Sequence, residues 1–199
     1  SFTERIGAES NGYNPLSLRK VHESYLMWKK TLWRRVDLKE KQNKPFFARN
    51  REISKIIIEA VERGVLIPYN SDSVNDSNVM SREEFVENIQ QVDEEIEEED
   101  GFGFDLDDPF AGFEEDDPFA EEVEEVAAGP IFIPKREFSI FEIKEDLYFD
   151  RIHSRIYFDI QAITMYLPGD SFYNPAGFEK PIASFRFIDL YNLFKSMPR

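Results

Sequence analysis

The stretch RIYFDIQAITMYL, from Arg155 to Leu167, carries the clearest secondary-structure signal in the chain. Apolar and other side chains alternate along it, and a period of two is typical of a β-strand with two different faces. The apolar positions of the alternation are Ile156, Phe158, Ile160 and Ala162, and those between them are Tyr157, Asp159 and Gln161. Pro168-Gly169-Asp170 ends the predicted strand.

The sequence on both sides of this strand predicts more of a small sheet. Residues 138–150 are compatible with either a strand or a helix, and residues 185–187 alternate Phe, Arg, Phe, which predicts a second strand. Residues 189–195 predict a helix, because Leu190, Leu193 and Phe194 fall on one side at helical spacing.

Helices are predicted in the N-terminal half. Residues 22–36 fit an amphipathic helix, and its apolar side contains Tyr25, Trp28, Leu32, Trp33 and Val36. We therefore interpret both tryptophans as core residues. Residues 51–63 predict a second helix, which Gly64 would end in the left-handed conformation, and residues 65–67 predict a short strand after it.

Local capping signals mark two further helix starts. Asn14-Pro15 places a capping residue before a proline, which is typical of a first helical turn. Ser81 and Glu84 have the spacing of a capping box. The helix that follows would bury the face formed by Phe85, Val86, Ile89 and Val92.

Helices precede strands along the chain, so we predict the α+β class, with N-terminal helices plus a small antiparallel sheet. The expected divisions are an N-terminal arm (1–21), the helical part of a single α+β domain (22–92), an acidic insertion (93–129) and the strand-rich part of the same domain (130–199).

The excess of negative charge is localised in and around that insertion. The whole chain has 24 basic and 40 acidic residues, a net charge of −16. From Glu83 to Pro134 there are 21 acidic residues and no Lys or Arg, so the rest of the chain has a net charge of +5. The sequence thus describes a mildly basic body interrupted by a strongly acidic segment.

The acidic segment has two interpretations. Residues 93–100 read DEEIEEED, and the motif Asp-Pro-Phe-Ala occurs at 108–111 and again at 117–120. Self-repulsion and the lack of an apolar face favour an extended, solvated segment. The alternative is docking onto a basic groove of a partner, with phenylalanines as anchors: Phe102, Phe104, Phe110, Phe113 and Phe119. The basic pairs at 19–20, 29–30 and 34–35, with residues 39–44, are a solvated surface, a nucleic-acid surface or the docking place for this segment.

Sequence motifs for catalysis are sparse. The chain has no Cys and only two His, and it contains no GxSxG, P-loop, GxGxxG or HExxH motif. Glu145, Asp146, Asp150 and His153 are the best candidates for acid–base chemistry. We favour another interpretation, a turn between two strands that Asp150 caps. We expect no metal site, no cofactor and no membrane span.

Three ordered motifs resemble the GldN/PorN family. Residues 33–47, WRRVDLKEKQNKPFF, are similar to the opening motif of that family. Residues 59–69, EAVERGVLIPY, resemble its Ala-x-x-x-Gly-x-Ile-x-Ala-Tyr stretch, and residues 143–150, IKEDLYFD, resemble the stretch before its long strand. The acidic segment is not part of the family pattern.

The resemblance implies a structural subunit, not an enzyme, of the Bacteroidetes type IX secretion and gliding machinery. It implies a periplasmic location at the outer membrane, assembly into a homo-oligomeric ring with a GldK/PorK-like lipoprotein, and contact with the GldM/PorM-like shaft of the GldL/GldM motor. No nucleic-acid partner is implied. The residues expected at the partner contact are Trp33, Arg34, Arg35, Asp37, Phe46 and Phe47.

Two alternatives stay open from the residues themselves. Asp37 lies near Asn43-x-Pro45 and could organise that turn instead of contacting a partner. The whole chain could also be a stand-alone periplasmic enzyme or chaperone that uses the carboxylates of 145–153 or the acidic arm.

Overall fold

The strand predicted at Arg155–Leu167 forms with those bounds and is the third of the four strands in the part of the chain that the structure describes. The computed structural model describes residues 12–49, 51–91 and 131–197. In chain order, its strands and α-helices are β1 (Leu26–Asp37), α1 (Ile53–Glu62), α2 (Arg82–Asn88), β2 (Ile140–Asp150), β3 (Arg155–Leu167), β4 (Lys180–Arg186) and α3 (Phe187–Ser196). The α+β class is therefore confirmed.

The four strands form one antiparallel sheet in the order β1-β2-β3-β4. Residues 138–150, which sequence left undecided, become strand because β2 pairs on both sides, with β1 and with β3. A bulge changes the phase of β3: Lys144 lies opposite Ala162, whereas Glu145 lies opposite Ile160. Gln161 is the extra residue, so Ala162 does not share a face with Ile160.

The helix predicted at residues 22–36 is wrong, because most of that stretch is β1. Its aromatic and apolar residues suit both a 3.6-residue and a two-residue period over so short a length. Pairing with β2 extends from Leu26 opposite Asp150 to Asp37 opposite Ile140. These inter-strand hydrogen bonds are long-range, and they override the local pattern.

The three helices lie on one face of the sheet, here called the helix face. The buried cluster there joins residues of α1, α2, α3 and the sheet, and its fully buried members include Ile57, Phe85, Phe138, Met165, Phe185 and Leu190. The helices predicted at 51–63 and at 189–195 are confirmed. The helix predicted after Ser81 is confirmed from Arg82 to Asn88, with Phe85 buried, but it ends before Ile89, and Val92 of its predicted face lies outside the described residues. Glu84 donates its backbone N–H to the Ser81 hydroxyl at 3.1 Å, and Gly64 has φ +72°.

The opposite face is covered by loop segments and is here called the arm face. Tyr69, Val74 and Ala162 form a small buried cluster there, with Leu16 packed against it. Asn14 does not start a helix. Its side chain instead accepts from the Leu16 N–H at 2.9 Å and donates to Gln161 at 2.7 Å.

Because the N-terminal arm covers the arm face, the polar side of β3 is buried. Asp159 is 9% exposed and accepts hydrogen bonds from Ser17 and from the Gln161 amide. Burial raises the pKa of Asp159, and these two hydrogen bonds oppose the rise.

Two shorter predictions are corrected. Residues 65–67 form no strand; they follow the α1 terminus as a turn, with the Val65 and Leu66 N–H groups both donating to the Ala60 carbonyl. The strand predicted around Arg186 ends at that residue, and Phe187 begins α3 instead.

Candidate interaction surface

β1 is an edge strand of the sheet, and none of its twelve residues is buried. In the described residues, its outer side has no partner strand. An unpaired edge presents backbone N–H and C=O groups to any incoming chain. β1 is therefore the element of this fold best placed for contact with another protein.

Trp33 lies on the arm face of β1 and is 55% exposed, so its predicted place in the core is wrong. Its indole Nε1 donates to the Asp72 carboxylate at 2.8 Å. The Lys144 ammonium lies 3.2 Å from the same carboxylate and 5.8 Å from the indole ring centre. These contacts hold the ring against the sheet with one side in solvent.

The two neighbouring arginines point to opposite faces. Arg35 shares the arm face with Trp33 and pairs with Glu179 of the loop before β4. Arg34 lies on the helix face, where it pairs with Glu145, itself 2% exposed. The guanidinium of Arg34 also lies 5.9 Å from the centre of the Phe158 ring. The structure thus divides the predicted contact residues between two surfaces.

Asp37 organises a turn, as its second interpretation held. Its carboxylate accepts the Lys39 N–H at 2.8 Å, and its carbonyl accepts the Asn43 amide at 2.7 Å. Farther along, Phe47 packs against the core under Arg136, whereas Phe46 is 55% exposed. Of these two phenylalanines, Phe46 is the one that presents its ring to solvent.

About half of the helix face is not covered by the helices or by any other described residue. The β-register aligns three rows of side chains beyond the helices: Trp28, Phe149 and Ile156; Lys30, Leu147 and Phe158; Leu32, Glu145 and Ile160. The apolar members of these rows, here called the open half-face, are Trp28, Leu32, Leu147, Phe149, Ile156, Phe158 and Ile160. None of the seven belongs to the buried clusters or packs against them within the described residues.

The sequence did not indicate this surface, because residues 22–36 were predicted to form a helix with Trp28 on its buried side. Trp28 is 44% exposed, Ile156 54% and Phe158 60%. The alternation in β3 placed Ile156, Phe158 and Ile160 on one row correctly and Ala162 wrongly, because of the bulge. It also cannot tell which row the rest of the chain covers. The register of β1 against β2 is the missing information.

The carboxylates of residues 145–153 do not converge. Glu145 and Asp146 are adjacent on a strand and therefore face opposite sides, where Arg34 and Lys29 pair with them. Asp150 caps the turn before β3 by accepting the Ile152 and His153 N–H groups at 2.8 and 3.2 Å. His153 Nδ1 lies 2.6 Å from the Asp150 carboxylate, and these hydrogen bonds lower the pKa of Asp150. The turn interpretation is confirmed.

The described residues contain no cluster of His, Asp and Glu arranged to hold a metal ion. No helix among them combines the length and the apolarity that a membrane crossing requires. The phenylalanines predicted to dock the acidic arm, at positions 102, 104, 110, 113 and 119, lie outside the described residues.

An edge strand with exposed aromatic and basic side chains, beside an open apolar sheet surface, is typical of a domain that binds other proteins. A family model, gliding motility associated protein GldN, matches residues 21–198. The chain therefore belongs to the GldN family, a structural component of the gliding motility and type IX secretion machinery. A comparison with curated proteins gives no match.

Proposed function

We propose that this chain is a coupling subunit of the type IX secretion and gliding machinery. It assembles with a GldK/PorK-like outer-membrane lipoprotein into a periplasmic ring and contacts the GldM/PorM-like periplasmic shaft of the GldL/GldM motor. Family membership supports the machinery, and the observation that supports a coupling role is the exposed edge strand β1.

The contact we assign to the ring partner is the arm-face side of β1, where Trp33 and Arg35 lie together. Tryptophan and arginine are the residues most often found at the energetic centre of protein interfaces. Trp33 is positioned by Asp72 and Lys144, and Arg35 by Glu179, so both are held in place before any partner arrives. Such preorganisation reduces the entropy lost on binding.

Affinity purification of the tagged chain from a detergent-solubilised outer-membrane fraction tests the proposal. We expect a lipoprotein to co-purify in ring-shaped particles visible by electron microscopy. Trp33→Ala should reduce the co-purified lipoprotein by roughly tenfold or more, the effect of losing an interface hot spot.

The matched control is Phe172→Ala, which removes an aromatic ring that is 88% exposed in the loop after β3. This variant should co-purify as the unchanged chain does. A native chain that elutes as a monomer without any lipoprotein contradicts the ring. A loss of binding that is equal in both variants contradicts the assignment to β1.

A further inference from the structure

The open half-face is an apolar surface that carries basic side chains and no exposed acidic one. Along residues 26–35 and 145–158, the acidic side chains Glu145, Asp146 and Asp150 are all buried. The exposed lysines and arginines of the same stretches are Lys29, Lys30, Arg34, Arg35, Arg151 and Arg155. Of these, Lys30 and Arg34 lie on the helix face, whereas Lys29, Arg35 and Arg155 fall on the arm face by the strand alternation. Lys30 lies within the face itself, in the row of Leu147 and Phe158. The chemistry of this surface fits an acidic chain that carries large apolar side chains.

We infer that the occupant of the open half-face is the acidic, phenylalanine-bearing segment of this same chain, residues 92–130. Its Phe residues alternate with acidic stretches, Asp-Leu-Asp-Asp-Pro between Phe104 and Phe110 and Glu-Glu-Asp-Asp-Pro between Phe113 and Phe119, and no Lys or Arg occurs between Glu83 and Pro134. Phenyl rings can fill the apolar rows while the carboxylates between them meet the basic side chains.

The two ends of this segment are fixed on the correct side of the sheet. The Gln91 N–H donates to the Ile131 carbonyl at 2.8 Å, and the Ile133 N–H donates to the Ile89 carbonyl at 3.0 Å. Ile89 and Ile133 are both buried in the cluster on the helix face. The segment therefore leaves and returns beside the layer that covers the other half of that face.

The segment is also long enough to reach the far end of the sheet. Half of residues 92–130, fully extended, spans on the order of 60 Å. β2 has 11 residues, so the sheet is about 36 Å long in the strand direction. A covalently attached segment also has an effective concentration in the millimolar range, far above that of another chain at micromolar concentration.

Photo-crosslinking of the chain with its acidic segment in place tests whether that segment occupies the open half-face. Phe158→p-benzoylphenylalanine places the reactive group on the open half-face, and Phe172→p-benzoylphenylalanine places it on an exposed loop as the control. Trypsin releases residues 83–135 as one peptide, because no Lys or Arg interrupts it. Mass spectrometry can then identify a crosslink from position 158 to that peptide.

We expect the position-158 crosslink to form within one chain, to be independent of protein concentration and to be several times stronger than that from position 172. Lys30→Glu should reduce its yield about twofold or more, because the reversal replaces attraction to the carboxylates of the segment by repulsion. Lys39→Glu, which reverses an exposed lysine in the turn after β1, should leave the yield unchanged.

Three results would overturn the inference. They are no crosslink to residues 83–135, equal yields from positions 158 and 172, and crosslinks only between an isotope-labelled and an unlabelled chain. Capture of a lipoprotein by position 158 in the outer-membrane fraction would likewise assign the face to a partner. The inference does not rest on the ring proposal, whose test concerns the opposite face of the sheet.

Discussion

Arg34 and Arg35 are adjacent in sequence, yet their side chains are on opposite faces of β1. Successive residues of a strand point to opposite sides, so a contiguous motif in a strand supplies two surfaces. The same rule separates Glu145 from Asp146. A site predicted from neighbouring residues was therefore divided in two once the stretch folded as a strand.

Asp150 gives a pH-dependent prediction at this scale. Hydrogen bonds from the His153 side chain and from two backbone N–H groups lower its pKa below the ordinary aspartate value of about 3.9. Its ionised form therefore stabilises the fold fully above that value, and the contribution is lost as the pH falls through the lower, folded-state pKa. Asp150→Asn should lower the melting temperature at pH 7, and this difference should close below about pH 4.

The control for this prediction is Asp170→Asn, which changes an exposed aspartate in the turn after β3. Its melting temperature should follow that of the unchanged chain at each pH. A deficit in Asp150→Asn that persisted undiminished at pH 2 would mean that the loss comes from shape or packing, and not from the carboxylate.

At the scale of elements, the sequence predicted what was locally determined. β3, α1, α2 and α3 were found because their periods are clear and their ends carry caps or breakers, such as Ser81, Gly64 and Pro168. β1 was mistaken for a helix because its identity depends on pairing with β2, which is more than a hundred residues away in sequence. The burial of Asp159 and Gln161 depends likewise on Asn14 and Ser17.

The candidate surface shows the same division. Trp33 and Arg35 were named from sequence, but their partners Asp72 and Glu179 come from distant loops that no local pattern connects to β1. The open half-face could not be predicted from sequence, because it is the part of the sheet that the three helices leave uncovered, and this depends on the tertiary structure.

The start of α2 provides a test at the element scale. Ser81→Ala removes the hydroxyl that accepts the Glu84 N–H, and the loss of such a cap costs about 1 kcal/mol. α2 has only seven residues and carries Phe85 into the core, so the free energy of unfolding should fall by that amount. Urea denaturation measures this free energy. The control Ser77→Ala, at an exposed position, should leave it unchanged. Equal free energies of unfolding for the two variants would exclude a capping contribution.

In the whole molecule, the excess negative charge and the buried core residues lie in different parts of the sequence. The acidic segment carries the excess of negative over positive charge, whereas the buried cluster on the helix face is assembled from residues of 38–89 and 133–190. Removal of the segment therefore leaves the core residues in place.

Deletion of residues 93–126 should leave the chain folded. The free energy of unfolding should change by less than about 2 kcal/mol, because larger losses accompany the removal of buried core side chains. Circular dichroism and thermal melting measure the outcome, and binding of a hydrophobic dye should increase as the open half-face is exposed. Complete unfolding would mean that the phenylalanines of the segment belong to the core.

The pairing of residues 89–91 with 131–133 has a consequence for variation in this chain. Because the two ends of the segment meet, extra length inserted between them changes the stability of the body through the entropy of closing a loop. Doubling such a loop costs only about 0.6 kcal/mol. The junction is thus a natural insertion point, where a fluorescent protein whose termini lie close together could replace the segment and report on the chain inside living cells.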